Sequence, residues 1–291
     1  MRRRVMSNQN NHCDPDNYLT IEALQDGLTA SLSVNSCEYC IDGDGNWKTL
    51  TADTATESIN TGQTLSFRGN LIPTSNTGIG TFTISKECNL KGNCMSMLFG
   101  DNAADNYSLS GKDYAFYKLF YLCTTLKSVS ANFLPATTLA NYCYQCMFNF
   151  CTSLTNTPKL PATTLKGECY SFMFQECNSL ITASEISATT LSYRCCVSMF
   201  YGCKLLTVAP ELLATTLSNG CYTAMFHGCT KLNYIKMLAT DISASSCLNG
   251  WVNGVASSGT FVKNPNATWD VVGESGVPSG WTIVNAEADN D

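Results

Sequence analysis

Charged side chains are scarce in this sequence. They make up 14% of its 291 residues, and histidine occurs only at His12 and His227. The net charge is −6, and lysine and arginine are scattered apart from Arg2-Arg3-Arg4. Nucleic-acid binding needs a basic stripe that displaces counterions from phosphates, so that partner is not expected. No apolar run approaches the roughly 20 residues that cross a bilayer, so no membrane span is expected. The basic start MRRRVMSNQNNHC lacks the apolar stretch of roughly 7–15 residues of a secretory signal. Cys13, in NNHCD, lacks the small and apolar neighbours of a lipobox. The expectation is export by another route, as for a virion component, or prior removal of a leader. With 44% hydrophobic residues the chain should fold.

What the sequence does contain is repetition. LPATTL stands at 134–139 and 160–165, and returns as ISATTL at 186–191 and LLATTL at 212–217. LPATT is close to the LPxTG sortase signal, but Leu139 and Leu165 stand where glycine is needed and no apolar tail follows. The step is constant: 162−136, 188−162 and 214−188 are each 26 for Ala136, Ala162, Ala188 and Ala214. Cys143, Cys169, Cys195, Cys221 and Cys247 keep it, as do Cys151, Cys177, Cys203 and Cys229. Leu154, Leu180, Leu206 and Leu232 form a further series, and Met147-Phe148 recurs at 173–174, 199–200 and 225–226. The unit reads C-x3-M-F-x2-C-x2-L-x7-A-T-T-L. A fixed period of this length predicts a solenoid, in which each unit buries its apolar positions against its neighbours.

The array frays at both ends, as capping units do. YAFYKLFYLCTTL (114–126) places Phe120 and Cys123 at a step of 28 from Phe148 and Cys151. At the other end Trp251-Val252 replaces Met-Phe and Val255 replaces the second cysteine. GTFVKNP and SGWTIV then read as short strands that cover the last open edge. The MFxxCxxL core resembles the AFxxCxxL signature of BspA-like leucine-rich-repeat proteins, the Treponema pallidum type. Longer PATTL units of this kind are familiar in surface proteins of gut Bacteroidetes and in phages that infect them. The resemblance covers about 114–284. It implies a curved leucine-rich-repeat solenoid with one parallel strand per coil and short helical turns, used for binding.

Upstream, YLTIEAL, LTASLSV, TLSFRGN and GTFTIS have the strand-and-turn rhythm of an antiparallel β-sandwich, and YCIDGDGNWKTL reads as a hairpin. Similar modules precede the repeats in related sequences. The expected class is therefore mainly β. A flexible leader occupies 1–16, a β-sandwich module 17–97, the repeat solenoid with its first irregular coil 98–258, and a cap and tail 259–291. Seventeen cysteines is an odd number, so at least one has no intramolecular partner. Spacing between stacked coils permits rung-to-rung disulfides. In-register side chains point in parallel, however, and a thiol also fits a tight corner unbonded, so free buried thiols are expected.

No chemistry stands out, and no cofactor is expected. Asp42, Asp44 and Asn46, with Asp53, match positions of a calcium loop. Trp47, though, occupies the place of the required glycine, and a plain turn explains the same residues. Cys37-x2-Cys40 is half of a zinc site without a second half, Cys88 and Cys94 joining only by tertiary accident. As strand residues, Cys37 and Cys40 would face opposite sides. His227 lies two residues before Cys229, but Asn149, Gln175 and Tyr201 hold the matching places, and no third catalytic member is evident. Glu185 and Glu211, one period apart, could stand at a glycosidase separation, yet Lys159 precedes them and no sugar subsite recurs around them.

The variable positions offer a surface instead. After each ladder leucine come Asn156, Thr182, Val208 and Tyr234, and then Lys159, Glu185, Glu211 and Met237. Fixed positions build a core and variable ones are free to define a ligand face. The candidate ligand-binding residues are Asn156, Lys159, Thr182, Glu185, Val208, Glu211 and Tyr234. Pro158 and Pro210 should sit at strand ends. The expected function is non-enzymatic recognition of a protein or glycan at a cell surface. A bacteriophage virion or host-attachment protein is the alternative.

Overall fold

The computed structural model describes residues 13–269 and 271–287. Arg2-Arg3-Arg4, His12 and most of the expected leader lie outside the described residues. Among the described residues the chain is mainly β, with one α-helical turn, α1 (Ser96–Phe99), followed by a 3-10 turn over Gly100–Asp105.

Seven strands come first: β1 (Leu19–Ala23), β2 (Ala30–Leu32), β3 (Cys37–Ile41), β4 (Lys48–Leu50), β5 (Thr64–Arg68), β6 (Phe82–Ile84) and β7 (Cys88–Gly92). A six-stranded sheet has the order β4-β3-β5-β1-β7-β8, where β8 is Leu126–Val129, and β2 pairs separately with β6. Asp42, Gly43 and Gly45 take φ of 50, 69 and 75°, which turns β3 back onto β4 as the DGDG stretch predicts. Thr20 is fully buried in β1, and its hydroxyl is 2.9 Å from that of Ser66 on β5, so neither polar group is left unpaired. Cys37 joins the apolar core, whereas Cys40, on the other side of β3, is bonded to Cys13 with Cα atoms 6.5 Å apart. That bond ties residue 13 to the sheet, so the last part of the expected leader is anchored. Fifteen cysteines remain free.

The sheet does not stop at the expected boundary of 97/98. β7 pairs in parallel with β8, and Phe82 stacks on Phe120 at 5.5 Å. From Phe120 a column of rings runs through Phe148, Phe174, Phe200 and Phe226, with neighbouring centroids 5.5–5.7 Å apart and planes within 12°. Trp251 continues it towards Phe261 and Trp269. The repeated methionines, phenylalanines, second-series cysteines and leucines are at most 1% exposed. Identity at these apolar positions reflects close packing, whereas the equally repeated threonine pairs, such as Thr163-Thr164 and Thr189-Thr190, are exposed.

Short helical turns were expected opposite the strands, and the chain there forms a ribbon of successive β-turns instead. Tyr142, Tyr144, Cys146, Phe148 and Phe150 donate their N–H groups to carbonyls of Gly167, Cys169, Ser171, Met173 and Gln175 at 2.8–3.0 Å. The residues between them, Gln145, Met147, Asn149 and Cys151, donate to the carbonyl three places back at 3.1–3.2 Å. Half of the donors therefore serve the next coil, which an α-helix cannot allow, since it spends them internally. Left-handed residues at every fourth place enforce the pattern: Tyr142, Cys146 and Phe150 have φ of 57, 57 and 60°. Later coils repeat these places at Arg194, Ser198 and Gly202, then Gly220, Ala224 and Gly228, then Ser246, Gly250 and Gly254.

A side chain at a left-handed position costs roughly 1–2 kcal/mol, against roughly 0.5–1 kcal/mol for the extra freedom of an unfolded glycine. Ser246 is exposed, with φ 55° and no side-chain bond of its own among the described residues. Ser246→Gly should therefore stabilise the protein by about 0.5–1 kcal/mol, read as a higher midpoint in denaturant at unchanged slope. A lower midpoint would contradict the ribbon geometry.

The expected strand in every coil is also only partly present. β9 (Tyr234–Met237), β10 (Thr260–Lys263) and β11 (Thr282–Asn285) form a parallel sheet in the order β11-β10-β9. Between β8 and β9 the coils meet through single parallel bridges: Asn156 with Thr182, Leu160 with Ile186, Thr164 with Thr190, Val208 with Tyr234, Leu212 with Met237 and Thr216 with Asp241. Pro158, Pro161 and Pro210 lack the N–H that a continuous ladder needs. Among the described residues no bridge joins the coil of Thr182 to that of Val208.

Candidate functional site

The strand side presents the variable positions, and the structure divides them. Asn156 is no free ligand group: its amide nitrogen donates to the Val129 carbonyl at 2.7 Å and its oxygen accepts from the Val129 N–H at 3.3 Å. The side chain completes the ladder of β8 where backbone pairing stops. Thr182 and Glu185 are exposed beside it, and Ile181 is 53% exposed. In the later coils Val208, 50% exposed, is bridged to half-buried Tyr234, which places an aliphatic and an aromatic surface side by side.

The row that starts at Lys159 needs a correction of register. Leu212 pairs with Met237, a step of 25, because the segment after Leu232 is one residue shorter than its counterparts. Met237 is buried, and the residue facing Glu211 is Lys236, with Nζ 3.1 Å from the carboxylate. Lys159, beside Glu185 through the Leu160–Ile186 bridge, lies on the rim of a cleft of about 500 Å³ with Asp16, Tyr107, Asn132, Pro135 and Pro161. No repeat signal marks Tyr107 or Asn132, because both lie in the irregular first coil.

The other candidates resolve individually. Asp42 accepts from the Thr64 N–H at 2.7 Å and the Gln63 amide at 2.6 Å, and Asp44 accepts from the Asn46 N–H at 2.8 Å. Each carboxylate holds its own turn, and they do not converge on a calcium position. Asp44 does approach Cys13 and Cys40, the three ligand atoms lying within 4.8 Å of one another. With the two sulfurs bonded to each other, no thiolate remains there to hold zinc. His227 stacks flat on Tyr201 at 4.6 Å. The Cys229 thiol instead donates to the Phe200 carbonyl at 3.0 Å, so the considered dyad does not form. Glu185 and Glu211 are both exposed, and Glu211 is engaged by Lys236.

The second cysteine series has a structural task that composition did not reveal. Cys151, Cys177, Cys203 and Cys229 donate to the carbonyls of Phe120, Phe148, Phe174 and Phe200 in the preceding coil at 3.0–3.2 Å. A thiol is small enough for the corner and still offers one proton to a carbonyl that would otherwise lack a second partner. Burial pushes Cys143, Cys221 and Cys229 up to about 12, which keeps them neutral and unreactive. The chemistry gathered on the strand side is therefore that of contact: aliphatic, aromatic, hydroxyl and single charged groups on a fixed backbone. No protein-family model matches the chain, and neither a curated protein nor a solved structure does.

Proposed function

We propose that the chain is a leucine-rich-repeat solenoid of the BspA-like type behind a β-sandwich module, and that it recognises a protein or glycan at a cell surface without catalysis. One observation carries this reading. In consecutive coils the repeating methionine, phenylalanine, cysteine and ladder-leucine side chains are buried, while neighbouring strand-side positions change identity and reach solvent. Such a surface can be altered residue by residue at little structural penalty, which suits recognition. The Cys13–Cys40 bond fits a protein that works outside a reducing cytosol. Among the described residues no helix is long and apolar enough to cross a membrane.

The ligand patch is centred on Val208 and Tyr234, with Thr182, Glu185 and Glu211 around it. A glycan-array and pull-down screen with the full chain should yield a ligand. Its affinity should fall at least about tenfold in Tyr234→Ala and in Val208→Glu, with unchanged thermal unfolding. Full affinity in both variants would remove the strand side as the binding face.

A further inference from the structure

The turn side, opposite the strand face, carries a second feature. Only one arginine follows Arg68 in the sequence, Arg194. Arg68 is fully engaged: Glu38 and Asp101 each hold it at 2.8 Å, and Trp47 covers its face at 4.0 Å. Arg194 is not. Its nearest carboxylate, Glu168, stays 3.9 Å from Nε and already accepts from Gln145 at 2.9 Å. Nε is buried without a hydrogen-bond partner, and the terminal nitrogens have none among the described residues. The backbone beneath is fixed, since the Arg194 N–H donates to Asn219 in the next coil and its carbonyl accepts from the Ser171 hydroxyl.

Arg194 lines a pocket of about 370 Å³ together with Tyr193, Asn219, Thr223, Ser245 and Asn249. Its lining holds one cation and no carboxylate, on a chain of net charge −6. Tyr193 is 55% exposed, and the guanidinium carbon lies 5.9 Å from its ring centre. Asn219 uses its amide oxygen to accept from the Ser245 N–H, which leaves its NH2 group for a ligand.

We propose that this pocket binds a saccharide bearing a carboxylate, such as a uronic or sialic acid unit. The terminal nitrogens of Arg194 match a carboxylate as a two-pronged donor. Tyr193 offers a flat apolar face to the C–H groups of a pyranose ring, and the amide and hydroxyl groups of the rim meet its hydroxyls. A volume of this size lies within the range of small-ligand sites. The exposed ring and neutral hydrogen-bonding rim favour a sugar over an acidic peptide, which would need more than one cation for its successive charges. The inference goes beyond the strand-face reading and does not depend on it.

The test is calorimetric titration of the full chain with trigalacturonic acid, its methyl ester, sialyllactose, lactose and oligoglutamate. At least one of the two acidic sugars should bind. Its methyl ester or neutral counterpart should bind at least about tenfold more weakly, as loss of a bidentate ion pair requires. Arg194→Gln should abolish this binding and Tyr193→Ala weaken it, both with unchanged melting, while Tyr234→Ala leaves it intact. Equal binding of acid and neutral forms, full binding by Arg194→Gln, preference for oligoglutamate, or no binding of either acidic sugar at about 10 mM would each overturn the proposal.

Discussion

Raising the pH from about 8 to about 10 should unfold this protein cooperatively. The cause is the set of neutral thiols in its interior. Cys37, Cys143, Cys221 and Cys229 are each at most 5% exposed, and burial raises them from 9.0 to about 12. Above pH 9 the unfolded chain releases these protons and the folded chain keeps them, so stability falls as pH rises. Each such thiol costs about 1.4 kcal/mol per pH unit between its unfolded and folded values. Four of them amount to on the order of 5 kcal/mol at pH 10, comparable with the whole stability of many domains. The buried phenols of Tyr144, Tyr170 and Tyr222 are also raised by burial and act in the same direction from pH 10 upward. Circular dichroism should show loss of structure near pH 10, reversed on return to pH 8 with reductant present. A Cys143→Ala, Cys221→Ala, Cys229→Ala variant should have a shallower loss of stability with pH between 9 and 10. Native spectra persisting to pH 11, or a triple variant with the same dependence as the parent, would contradict a buried ladder.

The second large effect is expected at the middle of the ring column. Phe174 is fully buried between Phe148 and Phe200, at 5.5 and 5.6 Å. Phe174→Ala removes the side chain's transfer energy, leaves a cavity and breaks two stacked contacts. Core substitutions of this kind cost roughly 3–5 kcal/mol. In a chain of this size that corresponds to a fall of roughly 10 °C in melting temperature. Phe174→Leu, which keeps most of the volume, should lose less than half as much. Equal effects of the two variants, or a fall of under about 2 °C for the alanine, would show that the column is not a continuous core.

These effects follow from positions that the sequence makes legible. Met147, Phe148, Cys151 and Leu154 recur at one spacing, and only a shared environment explains such identity. The ribbon of left-handed residues was less visible because tyrosine, glutamate and phenylalanine hold those places in the early coils, at Tyr142, Glu168 and Phe172. Gly202, Gly220, Gly228, Gly250 and Gly254 were its only trace. Within a coil they stand four or eight residues apart, and glycine takes positive φ at least strain. The register slip between Glu211 and Lys236 was hidden because the lost residue is regained before Cys247, which leaves the cysteine series undisturbed. Asn156 looked like a free surface position, since Thr182 and Val208 succeed it without its amide. Only the first coil needs that amide, to finish the edge of β8. Nothing in spacing pairs Cys13 with Cys40, because the bond depends on where the preceding turn meets β3. The pocket around Arg194 lacked a linear signature because its lining comes from three successive coils.

If consecutive 26-residue units lie on one another in register, one unit can be removed without disturbing the join. Deleting 169–194 brings Cys195 into the place of Cys169 and should leave a cooperative thermal transition a few degrees below that of the parent. Deleting 169–181, half a unit, should leave no cooperative transition at all. Equal melting of the two deletions, or failure of the full-unit deletion to fold while the half-unit deletion succeeds, would contradict the stack.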